Sequence, residues 1–280
     1  MSEASRAACV IGWPVAHSRS PMIHNYWIRQ HGIAGEYRRE AVTAEDFVAF
    51  ASDLAGHGYA GANITIPHKE AALAISQPDD RAKAVGAANT LWLDNGALRS
   101  TNTDVEGFLD NLDASAPGWD RELETALVLG AGGAARAIVF GLLGRGAKAV
   151  YVANRTLPRA RALRERFGSA VHPVGWDEVG GLLASAGLLV NTTSLGMHGQ
   201  PPLSVKVDDL PASAVVADIV YVPLETELLA AARRRGLRTA DGLGMLLYQA
   251  VRAFSLFFGV RPEVTPELRA MVETDLQKGK

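Results

Sequence analysis

Three closely spaced glycines in the middle of the chain constrain its fold more than any other feature. A short apolar run, residues 126–130, ends at Gly130, and a helical pattern begins just after Gly133. Gly130, Gly132 and Ala135 match the pattern G-x-G-x-x-A. In that pattern the first glycine permits a tight turn, the second lets backbone approach a pyrophosphate, and the small third residue lets helix and strand pack closely. The N-terminus of the helix then offers free N–H groups and a positive dipole end to phosphates. The segment therefore predicts a dinucleotide site formed by Gly130, Ala131, Gly132, Gly133 and Ala134.

The position of this turn implies a second domain. The chain has 280 residues, of which 48% are hydrophobic and 21% charged, so it has ordinary globular composition and enough length for two domains. The turn begins in mid-chain, and the residues before it need another role. We expect them to carry the substrate site.

Composition excludes several classes of function. The formal net charge of −2 gives no reason to expect binding to nucleic acid or to an acidic membrane. Cys9 is the only cysteine, so an intrachain disulfide and a cysteine-based zinc site are excluded, and we expect no metal. No apolar run reaches membrane-spanning length, and we expect a cytoplasmic protein.

Hydrophobic periodicity and cap residues predict strands alternating with helices along the chain. We expect Ser20 to cap a helix that starts at Pro21. We expect a second helix to start at Pro67 and to run to about Ser76. The sequence Asp94-Asn-Gly96 is typical of the turn of a β-hairpin. The other elements expected in the first half are strands at 7–11, 37–42 and 59–65, a helix opened by residues 43–46 that stops near Gly56, hairpin strands at 88–92 and 98–101, and a helix opened by a capping box at 103–106.

The second half continues the same alternation. The expected elements are strands at 126–130, 149–153, 171–174, 187–191, 214–219 and 237–240, and helices at 134–144, 158–167, 225–235, 242–259 and 266–277. Strands that alternate with helices indicate a parallel sheet covered on both faces. The fold class that we predict is therefore α/β.

The residues at the end of the next strand indicate which dinucleotide binds. In NAD-binding versions of the glycine pattern, an acidic residue about 20 positions later bonds the ribose hydroxyls. Here the strand ends in Asn154-Arg155-Thr156, where no carboxylate is present. Arg155 and Arg159 instead place guanidinium groups where a 2′-phosphate would lie. NADP(H) is therefore the cofactor that we predict.

Lys69 is a candidate for acid–base catalysis. It lies in the first turn of its predicted helix, where the macrodipole disfavours a cation by roughly 0.3–1 kcal/mol. The same field eases the release of a proton, which suits a lysine that acts as acid and base near neutral pH. A nearby carboxylate such as Asp104 would oppose that effect and hold the ammonium group in place.

Several polar motifs occur together and in a fixed order, and in this they resemble the shikimate dehydrogenase family. The combination covers residues 10 to 258. The motifs are Gly12-x-Pro14-x-x-His-Ser18-x-Ser20-Pro21, Asn63-x-Thr65-x-Pro67-x-Lys69, Gly86-Ala-x-Asn89-Thr90, Asn102-Thr-Asp104-x-x-Gly107, Asn154-Arg-Thr-x-x-Arg159-Ala, Asn191-x-Thr193-Ser-x-Gly196-Met197, Asp218-x-x-Tyr221-x-Pro223-x-x-Thr226 and Gly242-x-x-Met245-Leu-x-x-Gln249.

The resemblance implies an activity and a set of roles. The activity is the reversible reduction of 3-dehydroshikimate to shikimate by NADPH, in the chorismate and aromatic amino-acid pathway. Lys69 and Asp104 would be the catalytic residues. Substrate would be bound by Ser18, Ser20, Asn63, Thr65, Asn89, Asp104, Tyr221 and Gln249. Cofactor would be bound by the glycine turn, Asn154, Arg155, Thr156, Arg159, Thr192, Met197, Gly242 and Met245.

The resemblance also implies an architecture of two α/β domains with the active site in the cleft between them. We expect residues 1–108 and 241–280 to form the substrate-binding and catalytic domain, and residues 109–240 to form an NADP-binding Rossmann domain. A homodimer is possible. Two alternative functions stay open, namely a quinate or dual quinate/shikimate dehydrogenase and, more remotely, a non-catalytic NADP-binding regulatory protein.

Overall fold

The computed structural model describes residues 6–278, which divide into two compact units. The first unit contains the chain through Thr103 and from Leu247 onward, and the second contains Asp104–Leu246. The first division falls at the start of the helix that begins at Asp104, so this helix belongs to the second unit.

The first unit is built on a six-stranded mixed sheet. Its elements are β1 (Arg6–Gly12), α1 (Ser20–Gln30), β2 (Gly35–Ala41), α2 (Phe47–Ser52), β3 (Tyr59–Ile64), α3 (Lys69–Ala74), β4 (Gln77–Pro78), α4 (Asp80–Val85), β5 (Thr90–Asp94) and β6 (Ala97–Thr101). The strand order is β2-β1-β3-β5-β6-β4. Strands β2, β1 and β3 are parallel, whereas the hairpin β5–β6 joins the sheet through an antiparallel pairing of β5 with β3. The hairpin is confirmed, with Asn95 and Gly96 at φ 49° and 81°, the conformation that such a turn requires.

Two helix starts in this unit differ from the prediction. Helix α1 begins at Ser20, and its cap is Arg19, whose carbonyl accepts the N–H groups of Met22 and Ile23 at 3.0 and 3.2 Å. Ser20 is therefore a helical residue and not the cap. Helix α3 begins at Lys69 and not at Pro67, because a turn closed by the His68 N–H on the Thr65 carbonyl (3.0 Å) precedes it.

The lengths of these short helices also differ from the prediction. Helix α2 covers only Phe47–Ser52, and α3 has six residues, fewer than expected. Helix α4 was missed, although Asp79 caps it by accepting the Ala82 N–H (2.8 Å) and Gly86 ends it at φ 73°. Because α3 is so short, its dipole acts on Lys69 more weakly than that of the longer helix we expected.

The second unit is a doubly wound parallel sheet. Its elements are α5 (Asp104–Ser115), β7 (Thr125–Leu129), α6 (Gly133–Gly144), β8 (Ala149–Ala153), α7 (Leu157–Phe167), β9 (Val171–Val174), α8 (Val179–Leu182), β10 (Leu188–Asn191), β11 (Val215–Asp218), α9 (Glu227–Arg234) and β12 (Arg238–Ala240). The strand order β9-β8-β7-β10-β11-β12 is the 3-2-1-4-5-6 order of a dinucleotide-binding sheet. The parallel α/β fold is confirmed.

Alternation along the central strand shows why this sheet is covered on both faces. Ala126 and Val128 of β7 belong to one hydrophobic cluster, and Leu127 and Leu129 belong to another. All four are fully buried. A strand that is apolar on both sides can be stable only between two helical layers, as the apolar run predicted.

Two helices complete the described chain. They are α10 (Gly242–Phe258) and α11 (Pro266–Lys278). The second division of the chain falls within α10, between Leu246 and Leu247. In the first unit, Phe254 and Phe257 of α10 are almost fully buried and lie near the ring of His24 on α1. The apolar character of α10 therefore has a direct explanation in the core.

Candidate functional site

The glycine turn lies at the point where the strand order of the second sheet reverses. Gly130 follows β7 with φ +103°, a conformation that favours glycine. A Cβ there would lie 2.7 Å from the Thr192 hydroxyl and 2.9 Å from a methyl carbon of Thr193, just after β10. Thr192 in turn donates from its hydroxyl to the Leu129 carbonyl at 2.7 Å. Only glycine fits this crossing of two strand ends.

The next two glycines leave an open space in front of a helix. Gly132 and Gly133 are not buried, and a Cβ on either would meet no atom within 4 Å. Gly132 caps α6 and offers no side chain to its first N–H groups. A helix N-terminus with open space in front of it suits a pyrophosphate. Ala135 is fully buried against the sheet, as the third small position requires.

The segment after β8 carries the predicted phosphate-binding arginines. Strand β8 pairs with β7, and the Gly130 N–H donates to the Ala153 carbonyl at 2.8 Å, so this segment adjoins the glycine turn. The Asn154 amide donates to the Thr156 carbonyl at 2.8 Å and shapes the loop. Arg155 and Arg159 are exposed, and within residues 6–278 neither forms an ion pair. The donor set fits an NADP 2′-phosphate.

Two further loops of the second unit are joined by a buried carboxylate. Asp218, only 2% exposed at the end of β11, accepts hydrogen bonds from the Asn191 amide (2.9 Å), the Val220 N–H (3.0 Å) and the Thr226 hydroxyl (2.8 Å). Asn191 itself accepts from the N–H and hydroxyl of Thr193 at 3.0 and 2.7 Å. This network fixes the loops that carry Thr192, Met197 and Tyr221. The motifs contained Asn191 and Asp218, but sequence reasoning gave them no role.

Burial raises the pKa of the Asp218 carboxyl to about 6, although its three hydrogen bonds act in the opposite direction. The folded state therefore holds this proton more tightly than the unfolded chain does. As pH rises from about 4 to about 6, this group consequently lowers the free energy of unfolding. Above about pH 6 this group therefore lowers the free energy of unfolding by roughly 3 kcal/mol at most.

We expect Asp218→Asn to stabilise the protein at pH 8 by about 1–2 kcal/mol, because it removes the buried charge. The amide oxygen can still accept from Asn191 and Val220, whereas the Thr226 hydroxyl must turn to accept from the new NH2 group, which offsets part of the gain. The gain should shrink toward pH 4, where the carboxyl is protonated to a large extent in both folded and unfolded states. Asp218→Ala is the contrasting variant. It leaves three buried hydrogen-bond donors without an acceptor, so we expect it to be destabilised at every pH. Urea unfolding from pH 4 to 8 measures both effects, and an Asp218→Asn protein that is less stable than wild type at pH 8 would contradict this account.

Three of the predicted substrate residues of the first unit, Asn63, Asn89 and Gln249, belong to one hydrogen-bonded cluster. The Asn63 amide donates to the Thr90 hydroxyl at 3.1 Å. The Asn89 oxygen accepts the Thr103 N–H at 2.7 Å, and the Asn89 amide donates to the Thr103 hydroxyl at 3.0 Å. The Thr103 hydroxyl reaches the Gln249 oxygen at 3.5 Å. Since Asn63, Asn89, Thr90 and Thr103 are all buried, with at most 5% exposed, the cluster presents fixed polar groups.

Tyr37 belongs to this cluster and was missed in the sequence. Its hydroxyl donates to the Asn63 oxygen at 2.7 Å and lies near the Ser20 side chain. Burial raises the pKa of Tyr37 well above its usual value, so the phenol stays protonated. Its ring stacks on His24 at 4.0 Å, and burial lowers the pKa of that imidazole to about 3. The only sequence signal was the position of Tyr37 in a predicted strand.

The remaining predicted residues of the first unit lie at the ends of strands. The Ser18 hydroxyl accepts the Ser20 N–H at 3.3 Å in the loop after β1. Thr65 follows β3, and its N–H donates to the Ile11 carbonyl at 3.0 Å. Lys69 is half-buried at the start of α3, and its carbonyl accepts the Ala88 N–H at 2.9 Å. This last bond ties Lys69 to the segment that holds Asn89.

The remaining predicted positions of the second unit differ in how tightly they are packed. Asp104 is buried and is the first residue of α5, where a carboxylate is favoured by the helix dipole. A Cβ on Gly242 would lie 2.3 Å from the Ile219 carbonyl oxygen, so only glycine fits there. Met245 is 9% exposed, whereas Met197 is an exposed side chain. The His198 N–H donates to the Val222 carbonyl at 2.8 Å and joins the loops that carry Met197 and Tyr221.

Residues 6–278 contain neither a metal-binding cluster of side chains nor a helix that could span a membrane. In this range no group of three or more His, Cys, Asp or Glu side chains is arranged to hold a metal ion. None of the helices within it combines the length and the apolar character needed to cross a bilayer.

Three family models match successive parts of the chain. The substrate-binding domain of shikimate dehydrogenase matches residues 10–91, and the shikimate/quinate 5-dehydrogenase model matches residues 117–198. The C-terminal domain of shikimate 5′-dehydrogenase matches residues 242–270. The matches follow the order of the motifs.

Individual relatives match over nearly the whole chain. The chain is 65% identical over 272 residues to a shikimate dehydrogenase (NADP(+)) of Nitrobacter hamburgensis, covering 97% of this chain and 95% of the relative. Among solved structures, shikimate 5-dehydrogenase from Thermus thermophilus in complex with NADP(H) and shikimate is 35% identical, with a TM-score of 0.84 over 97% of this chain and 99% of that one. Quinate dehydrogenase from Corynebacterium glutamicum in complex with NAD is 33% identical, with a TM-score of 0.90 over 96% and 99%.

Proposed function

The chain belongs to the shikimate dehydrogenase family, and from this we propose that it catalyses the reversible NADPH-dependent reduction of 3-dehydroshikimate to shikimate. The observation that carries the proposal is the buried cluster of Asn63, Asn89 and Thr103, reached by Gln249. A polyhydroxylated acid needs a partner for every hydroxyl that it buries, and amide and hydroxyl side chains supply such partners.

We propose a division of roles within the substrate site. Ser18, in the loop after β1, and Ser20, in the first turn of α1, bind the carboxylate, as the resemblance to the family implies. Asn63 and Asn89 bind ring hydroxyls in fixed orientations. Thr65, Gln249, Asp104 and Tyr221 complete the set of substrate residues.

Lys69 and Asp104 are the catalytic residues in this proposal. Reduction of a ketone adds a hydride to carbon and a proton to oxygen. NADPH supplies the hydride when it is bound. Lys69 donates the proton to the carbonyl oxygen during reduction and accepts it during shikimate oxidation, so the reaction needs no metal ion.

The second unit binds the cofactor in this proposal. The open space at Gly132 and Gly133 takes the pyrophosphate at the N-terminus of α6. Asn154, Arg155, Thr156 and Arg159 hold the adenosine end with its 2′-phosphate. The remaining cofactor residues are Gly130, Ala131, Ala134, Thr192, Met197, Gly242 and Met245.

Replacing both Arg155 and Arg159 by glutamine should raise KM for NADPH by about 10- to 100-fold, since hydrogen bonds to a charged group contribute roughly 1.5–3 kcal/mol. KM for NADH should change little, because NADH has no 2′-phosphate. Arg161→Gln is the matched control, as Arg161 is exposed on the same helix. Steady-state kinetics with both cofactors measures the effect. An equal rise in KM for NADH would show that these arginines do not recognise the 2′-phosphate.

One assay tests the proposed reaction against the quinate alternative. NADPH oxidation with 3-dehydroshikimate is followed at the absorbance of the reduced cofactor, and the reverse reaction is run with shikimate or quinate and with NADP⁺ or NAD⁺. We expect the highest kcat/KM with shikimate and NADP⁺, in line with the 65% identity to an NADP(+)-dependent relative against 33% to the quinate enzyme. Faster turnover of quinate with NAD⁺ would overturn this choice.

The same assay separates an enzyme from a non-catalytic NADP-binding regulatory protein, which would bind NADPH without turnover.

We also propose that the protein is cytoplasmic, where the NADPH pool that drives reductive biosynthesis is found. A homodimer remains a prediction, and light scattering coupled to size-exclusion chromatography tests it.

A further inference from the structure

One face of β2 is directed at the proposed carboxylate-binding residues. Tyr37 and Arg39 are two residues apart on this strand and so project to the same side. Tyr37 hydrogen-bonds Asn63, and its hydroxyl lies near the Ser20 side chain. Arg39 donates from Nη2 and Nε to the carbonyl oxygen of Ser18, at 2.7 and 3.1 Å. The fork of this guanidinium is therefore anchored on the same residue whose hydroxyl is proposed to bind substrate.

The charge of Arg39 is not balanced by a carboxylate. Within residues 6–278 Arg39 forms no ion pair. The other cations around the loop differ in this respect. Arg19 pairs with Asp275 at 2.7 Å, and Arg38 pairs with Glu36. Glu40, the next residue on the strand, accepts a hydrogen bond from the Tyr59 hydroxyl. An uncompensated positive charge thus lies beside Ser18.

The serine hydroxyls bring no positive charge to balance that of a bound acid. Ser18 and Ser20 offer neutral donors, which hydrogen-bond a carboxylate but leave its negative charge uncompensated. The Ser18 carbonyl and hydroxyl belong to one residue, so a carboxylate on the hydroxyl lies within several ångströms of the guanidinium. At that separation a cation attracts an anion appreciably even near solvent.

We propose that Arg39 is a specificity-determining residue that supplies the positive charge for the substrate carboxylate held by Ser18 and Ser20. The inference rests on the proposed function. The bidentate bond from Arg39 to the Ser18 carbonyl keeps the side chain beside the loop and leaves its charge acting on the bound acid. Arg39 takes no part in the transfer of hydride or proton, so it should affect binding of the acid and not the chemical step.

The test compares Arg39→Gln with Arg39→Lys and with Arg38→Gln as the matched control. Arg38→Gln removes the same charge from the neighbouring residue, which projects to the other side of β2. We expect Arg39→Gln to raise KM for shikimate by about 3- to 30-fold, with kcat within about two-fold of wild type because the chemical step is untouched. The dependence of KM on salt concentration should also flatten in Arg39→Gln. Arg39→Lys should recover most of the loss, because it keeps the charge although it lacks the fork, and Arg38→Gln should resemble wild type.

The outcomes that overturn the inference are distinct from failure of the proposed function. If wild-type protein does not oxidise shikimate with NADP⁺, the proposed function fails. If wild type is active and Arg39→Gln matches Arg38→Gln, Arg39 has no role in substrate binding. If Arg39→Lys is as impaired as Arg39→Gln, or if kcat and the melting temperature fall together, Arg39 acts only as a support for the Ser18 loop.

Discussion

Replacing Lys69 by methionine should lower kcat for 3-dehydroshikimate reduction by about 10²- to 10⁴-fold, the range that a positioned proton donor contributes. Methionine keeps an unbranched side chain of similar length and removes the ammonium group. The Lys69 carbonyl, which holds the Ala88 N–H at 2.9 Å, is a backbone group and stays in place. The polar cluster around Asn89 should therefore persist, and KM for NADPH should change little.

Lys83→Met is the matched control for this experiment. Lys83 lies on α4 of the same unit, is exposed, and pairs with Asp80 at 3.4 Å. We expect its kcat to equal that of wild type. If Lys69→Met retains a kcat near wild type, Lys69 is not the acid/base, and the proton must come from another group or from water. A fall in kcat together with loss of the folded state would instead assign Lys69 a structural role, which circular dichroism detects.

Local sequence signals predicted the parts of the fold that neighbouring residues decide. The glycine turn is one example. Gly130 must adopt a positive φ and Gly132 must leave space for the cofactor, and the glycine pattern of a few consecutive residues indicates both requirements. The hairpin at Asn95 and Gly96 is another. The starts of helices α1 and α3 were less predictable, because carbonyls such as that of Arg19 compete to accept the first helical N–H groups.

Residues that act across the sheet were not predictable from one sequence. Tyr37 meets Asn63 only because β2 and β3 lie on either side of β1, and that strand order depends on the whole sheet. Arg39 meets Ser18 because β2 pairs with β1, the strand that precedes the loop of Ser18. Asp218 and Asn191 were visible as parts of motifs, but their shared hydrogen bond joins the ends of β10 and β11. Motif reading thus finds the residues proposed to touch ligands more readily than those that hold them in place.

Gly132 allows cofactor binding to be separated from folding. Its backbone, at φ −90° and ψ −168°, is open to any residue, and a Cβ there meets no atom within 4 Å. Aspartate is also a favoured helix cap, so Gly132→Asp should leave the melting temperature unchanged or slightly higher. The new carboxylate would lie in the space proposed for the pyrophosphate. Like charges about 4 Å apart near a protein surface repel by roughly 4 kcal/mol, so affinity for NADPH should fall by at least about 100-fold.

Gly130→Ala is the contrasting variant, because the two glycines differ in what a side chain would meet. At Gly130 a Cβ would lie 2.7 Å from the Thr192 hydroxyl on a backbone with φ +103°. We therefore expect Gly130→Ala to lower the melting temperature even without cofactor. Fluorescence titration gives the Kd for NADPH, and thermal unfolding with and without NADP⁺ gives the stabilisation by ligand, which should vanish in Gly132→Asp. A Gly132→Asp protein that binds NADPH as wild type does would place the pyrophosphate elsewhere and remove the glycine turn from the cofactor site.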